Sequence, residues 1–211
     1  MSMKNTFKLT SIAALAAITL TAPVLIGSGF AQMGDMPMGN SGSMSMKSMG
    51  ALEKLSGKKF DIAWISQMIA HHDGAVEMAQ ACVSDCKQAE VKKAAQTIIN
   101  AQSKEIKQMT GWLKSWYNTT PDKTQMALMR TDMKSMMDTS MGKMPGHEMN
   151  MSANPDKSFL EGMIPHHQSA VDMAKLALKK AAKPELKTFA QQVISDQSKE
   201  IAQFKTWLKG M

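Results

Sequence analysis

Met68-Ile69-Ala70-His71-His72 and Met163-Ile164-Pro165-His166-His167 are two versions of one pentapeptide, set 95 residues apart. The same register carries on downstream. Ala75-Val76-Glu77-Met78-Ala79 falls on Ala170-Val171-Asp172-Met173-Ala174, and Gln102-Ser103-Lys104-Glu105-Ile106 falls on Gln197-Ser198-Lys199-Glu200-Ile201. Trp112-Leu113-Lys114 falls on Trp207-Leu208-Lys209, and no gap is needed anywhere between. Chance does not produce such a match, so the chain holds two copies of one unit.

Each unit reads as a helical hairpin. From Asp61 to about Cys82, Ile65, Met68, Ile69, His72, Val76 and Ala79 recur at helical spacing. From Glu90 to Trp116 the same period returns at Val91, Ala95, Ile98, Gln102, Ile106, Met109 and Leu113. The second unit predicts helices from about Asp156 to Lys180 and from Pro184 to Lys209, with Pro184 suited to a first turn where its missing N–H costs nothing. One hairpin of this size cannot cover its own apolar face. Two can cover each other, so the expected fold is all-α, a four-helix bundle of two tandem hairpins. The expected organisation is a leader over 1–31, a Met/Gly/Ser-rich disordered segment over 32–57, hairpins over 58–116 and 153–211, and a Met-rich connector with a short helix over 117–152. The length of that connector leaves the neighbour order of the helices open.

The first residues read as a secretory leader. Lys4 and Lys8 precede an apolar run from Ile12 to Ile26, and Gly29-Phe30-Ala31 offers a cleavage point before Gln32. The run is too short to span a bilayer comfortably. An uncleaved anchor is the competing reading. The mature chain is expected to be periplasmic or secreted, with no stable membrane span. The formal charge is +7, but Arg130 is the sole arginine and the lysines are scattered along helical stretches. That describes a solvated face and argues against nucleic acid as a partner. Cys82 and Cys86 are the only cysteines. In an oxidising compartment they suit a disulfide at a hairpin turn. A thiolate metal site would need further ligands.

Methionine is the outlier of the composition, with 23 residues. Met33, Met36, Met38, Met44, Met46 and Met49 lie among Gly and Ser without periodicity, which suits weak multi-site metal capture rather than a core. Met126, Met129, Met133, Met136 and Met137 fall on one side of a short helix. Core packing and metal binding are both open for them. Gly142, Pro145 and Gly146 are expected to end that helix, and His147, between Met144 and Met149, is a candidate third small site.

The chemistry is expected at the repeated pentapeptides. At about 100° per residue, Met68 and His72 point toward the core, while His71 and Met78 lie at its edge. Met163, His167, His166 and Met173 follow the same pattern. Two imidazoles and two thioethers then converge in each copy, as half-open sites. Imidazole and thioether are borderline and soft donors that suit copper, as Cu(I) or Cu(II), with silver as a surrogate, and thioether is a poor ligand for Mg²⁺ or Ca²⁺. A lone core methionine or histidine is ordinarily packing. Four of the chain's five histidines lie in these two places, which favours ligation. Gln102 and Gln197 are candidates to hydrogen-bond an imidazole and fix the ring. Glu105 and Glu200 read as surface charges. Pro165 removes one helical hydrogen bond, and a kink there is expected to open the second site.

These paired motifs, the Ala-Val-x-Met-Ala that follows and the Ile-x-x-x-Gln-x-x-Glu-Ile helices ending in Trp-Leu resemble the DUF305 family. The exported, methionine-rich setting resembles its copper-binding CopM-type members. The resemblance implies a ferritin-like four-helix bundle, periplasmic or secreted copper binding linked to copper tolerance, and ligands at Met68, His71, His72, Met78, Met163, His166, His167 and Met173. A copper transporter or efflux component is a candidate partner. Ala70 departs from the proline of the pattern, so the two copies are expected to differ. No enzyme activity is expected. A di-metal oxidase would need Glu-x-x-His motifs that the chain lacks. Non-covalent haem binding and a metal-independent interaction module are competing readings.

Overall fold

The structure is a computed structural model that describes residues 46–140 and 154–211. It contains α1 (Lys47–Glu53), α2 (Gly57–Asp85), α3 (Ala89–Tyr117), α4 (Lys123–Ser140), α5 (Pro155–Lys180) and α6 (Pro184–Leu208), with no strand among the described residues. The fold is the expected all-α bundle. α2 packs on α3 within the first hairpin, α5 packs on α6 within the second, and α2 meets α5 across the two. α4 returns along α2 and touches α5, and α1 is held by α4 and α2.

The local chemistry explains the boundaries. Pro184 opens α6 and Pro155 opens α5, whose N-cap Asn154 accepts the Lys157 N–H. Asn118 ends α3 in the left-handed conformation, and its backbone N–H bonds back to Lys114. Cys82 and Cys86 form a disulfide across the last turn of α2, fastening the chain where it leaves the helix. α5 runs unbroken through Pro165.

Two buried aspartates clamp the hairpins together. Asp156, at the start of α5, accepts the backbone N–H groups of Lys87 and Gln88 in the first hairpin's turn at 2.9–3.1 Å. Asp61, its counterpart in the repeat register, accepts those of Ala182 and Lys183 in the second hairpin's turn at 2.9 and 3.1 Å. The contacts are reciprocal, as in an isologous dimer written into one chain. Each carboxylate satisfies helix N-terminal donors that have no intrahelical partner. Asp61 also accepts the Tyr117 hydroxyl at 2.6 Å, and burial beside that carboxylate pushes the phenol well above its ordinary value.

The apolar interior falls into two clusters. One joins Phe60 to Ala70 of α2 with Ala170 to Ala181 of the second hairpin, together with Leu186, Phe189, Met109 and Leu113. The other joins Ala75 to Cys82 of α2 with Phe159, Leu160, Met163, Val91, Ile98 and Phe204. The break between them falls at His71–His72 on α2 and at His166–His167 on α5.

Two expectations are corrected. Composition predicts no structure anywhere in 32–57, but Lys47–Glu53 is helical, with Leu52 buried and the Ser48 N–H donating to Asp132 at 2.7 Å. Met46 and Met49 pack against the core rather than standing in solvent. The physical reason is α4, which supplies a partner that local sequence cannot reveal. The connector helix itself is longer than expected. Met129 and Met133 are buried and Met126 packs on the core, so its methionine stripe docks α4 onto the bundle. The leader, Met33 to Met44 and the stretch holding Gly142, Met144, Pro145, Gly146, His147 and Met149 lie outside the described residues.

Replacing Asp156 with alanine strands two backbone donors of the first hairpin's turn. Urea denaturation is expected to show a loss of about 2–3 kcal/mol. A change below about 0.5 kcal/mol, ordinary for a surface site, would refute the clamp.

Candidate metal centre

The four histidines form one row across the middle of the bundle. The rings of His71 and His166 are in contact across the two hairpins, with centroids 3.9 Å apart. His72 lies 6.1 Å from His71, and His167 lies 6.1 Å from His166. All four are buried. The repeat therefore places its motifs face to face, as one polar waist between two apolar clusters. This differs from two half-open sites. His71 is at the centre, not at the edge, because α2 meets α5 on that side and the lone-helix angles carry no information about a neighbouring hairpin. Nor does Pro165 open the second copy, since His166 and His167 are fully buried beside it.

The outer rings are held by carboxylates. His72 Nε2 lies 2.8 Å from Glu105 Oε2, and His167 Nε2 lies 2.8 Å from Glu200 Oε2. For His72 the geometry is that of a hydrogen bond, with the ring N–H donating. For His167 the approach is equally close, but the angles fall short of one. The expectation that Glu105 and Glu200 are plain surface charges is corrected. They remain 23% and 29% exposed while reaching inward, so solvent and imidazole share the charge. Gln102 and Gln197 are buried at the waist as expected, but their Oε1 atoms find no hydrogen-bond partner.

The inner rings differ from each other. His71 Nε2 lies 2.7 Å from Ser169 Oγ and 3.1 Å from the His166 carbonyl. Ser169 gives its own proton to that carbonyl at 2.7 Å, so His71 is the donor to Ser169 and its lone pair falls on Nδ1. His166 has no such partner. The His71 carbonyl lies beside its ring, yet neither ring nitrogen makes a hydrogen bond of acceptable geometry. Burial, and then the neighbouring imidazoles, push both His71 and His166 well below the ordinary histidine value, so both are neutral.

The waist thus holds buried imidazole nitrogens without hydrogen bonds, at Nδ1 of His71 and His72 and at both nitrogens of His166 and His167. Unmet buried polar groups cost about 1–3 kcal/mol each, and native interiors contain few of them. Neutral imidazole with a free lone pair is the form that binds metal. The carboxylate beside His72 Nε2 orients the ring, the usual arrangement behind a metal-bound histidine. Among the described residues, no three His, Cys, Asp or Glu side chains form a ready metal-binding group. A site here needs thioether as well. Met68, Met163 and Met173 are buried within the apolar clusters, while Met78 lines a cleft of about 530 Å³ between α2 and α4. Met133 and Met137 line the same cleft. Expected ligands are therefore divided. The histidines come together, three methionines serve as core, and the connector helix brings methionines to a position that the motif does not predict.

Comparison with known proteins fits this architecture. The family described as "Domain of unknown function (DUF305)" matches residues 19–110 and 77–208. The chain belongs to the DUF305 family. CopM in its Cu(II)-bound form is 29% identical, with a TM-score of 0.56 over 71% of this chain and 97% of that one. CopM in its Cu(I)-bound form matches at the same identity and TM-score over 71% and 96%. A DUF305 fragment from Deinococcus radiodurans shares the fold at 23% identity and a TM-score of 0.58, over 72% and 96%. Among curated proteins, the uncharacterized protein L153 of Acanthamoeba polyphaga mimivirus is 38% identical over 53 residues. That match spans 25% of this chain and 35% of the relative's length. Among the described residues, no helix of this DUF305 protein is long and apolar enough to cross a membrane.

Because His71 and His166 are buried neutral, the unfolded chain takes up protons first on acidification. Their contribution to stability is complete above the ordinary value of 6.5 and declines as pH falls below it. Urea midpoints of the metal-free protein are expected to fall between pH 7.5 and 5.5. The fall should shrink in a His71→Gln/His166→Gln variant. An equal fall in both proteins would contradict the assignment.

Proposed function

We propose that this protein binds copper ions through histidine and methionine, outside the cytoplasm, and sequesters them or passes them on without catalysing a reaction. The observation that carries this reading is the waist itself, with buried imidazole nitrogens that lack hydrogen bonds, His71 and His166 held neutral by burial, beside methionines from two helices. A structural role alone would favour satisfied or apolar side chains there. Soft and borderline donors select copper, and silver as its analogue, over hard cations. Solved CopM structures holding Cu(I), Cu(II) and silver support the reading at 29–30% identity. An apolar run behind two lysines at the N-terminus, and thioether ligands that survive oxidising surroundings, support an exported setting. A recipient such as a copper transporter or efflux component would draw the ion from the same donors.

The test is an anaerobic titration of the protein with Cu(I) against a competing chelator. The wild type is expected to withdraw at least one equivalent. A His72→Gln/His167→Gln variant is expected to bind at least tenfold more weakly while keeping its helical circular dichroism. A wild type that withdraws no copper would sink the proposal.

A further inference from the structure

The two repeats differ at a position that faces the waist, Gly74 in the first and Ser169 in the second. Ser169, on α5, bonds His71 Nε2. In the repeat register its counterpart on α2 is Gly74. With no side chain at Gly74, His166 Nε2 lacks the hydroxyl that its twin enjoys, and it is fully buried with no hydrogen bond of acceptable geometry, although the His71 carbonyl lies beside the ring. A β-carbon built at Gly74 would lie 3.6 Å from His166 Nε2 and 3.4 Å from the Met133 methyl. The space vacated by one side chain therefore borders both an imidazole nitrogen and the methyl end of a thioether. Glycine inside a helix is unfavourable unless something gains from the room. Gly74 also lines the α2–α4 cleft, where Met78 stands one turn further along α2.

We propose that His166 Nε2, Met133 and Met78 form a soft-metal site at the floor of the α2–α4 cleft, entered through the gap at Gly74. It rests on the copper-binding reading above and assigns one ion to a specific place. The gap is a property of the first repeat, since Ser169 fills the corresponding space in the second and engages His71. It also assigns α4 a role beyond packing, because the connector helix contributes a ligand that neither repeat contains. Met133 is unbranched, so its sulfur can turn toward the gap without moving the helix. Glu77, exposed at the mouth, adds negative charge on the way in.

The decisive variant is Gly74→Ser, which copies the second repeat. Its β-carbon meets only ordinary contacts. Its hydroxyl can bond His166 as Ser169 bonds His71. The full chain, its Gly74→Ser variant and a Met133→Leu variant would each be titrated anaerobically with Cu(I) against a chelator, with thermal melting as the check on folding. Gly74→Ser is expected to melt no lower than wild type, yet to lose one equivalent or hold it at least tenfold more weakly. Met133→Leu should lose the same equivalent, and Cu K-edge absorption should show fewer sulfur neighbours. If wild type binds copper and both variants retain every equivalent at unchanged affinity, the cleft site is wrong while the copper-binding reading stands. If wild type binds no copper, both fall together.

Discussion

Four imidazoles buried in the middle of a helical bundle are the constraint on which the rest of this structure depends. A bundle core is normally continuous and apolar. Here it is interrupted at His71, His72, His166 and His167, with Gln102 and Gln197 also buried at that level. Polar groups there must find partners or remain unmet at a cost. The outer rings are approached by partly exposed carboxylates, and His71 leans on Ser169. The apolar clusters on either side then bear the stability of the fold, each drawing on both hairpins.

Internal duplication explains how such a waist arises. Helices that pair through a reciprocal contact bring identical motifs together at the axis, so each histidine pair meets its own copy. The aspartate clamps follow the same rule, with Asp61 and Asp156 each holding the other hairpin's turn. Departures from the rule mark where the copies have separate duties. Cys82 and Cys86 are bonded in the first hairpin, where the second has Ala177 and Ala181. Trp64 donates to the Met173 carbonyl, while Phe159 stands in its place in the second copy. Gly74 opposite Ser169 is the departure that leaves space beside an imidazole.

Burial matters for the kind of metal chemistry such a site supports. An ion at the waist would be shielded from water, and neutral soft donors bind a monovalent ion without burying a second charge. Reaching it requires a route, and the α2–α4 cleft lies on the side of the bundle where the connector, rather than a repeat helix, closes the wall.

The repeat register and helical periodicity determined the fold class and the helix limits closely. The helix expected from Asp156 to Lys180 spans Pro155–Lys180, and the one expected from Pro184 to Lys209 spans Pro184–Leu208. Such signals are local, since they follow from which residues can share one apolar stripe. The donor types were legible for the same reason, as His-His with nearby methionine is a pattern along a single helix. What a single helix cannot encode is which of its faces meets another. His71 reads as an edge residue in sequence because its neighbour at 3.9 Å is on the other hairpin, and Glu105 reads as a surface charge because its partner is His72 on α2. The merging of two motifs into one row, the reciprocal aspartate clamps and the placing of Met133 and His166 beside Gly74 depend on residues far apart in the chain. Only tertiary packing decided them, because distance in space is set by how the apolar faces close on each other.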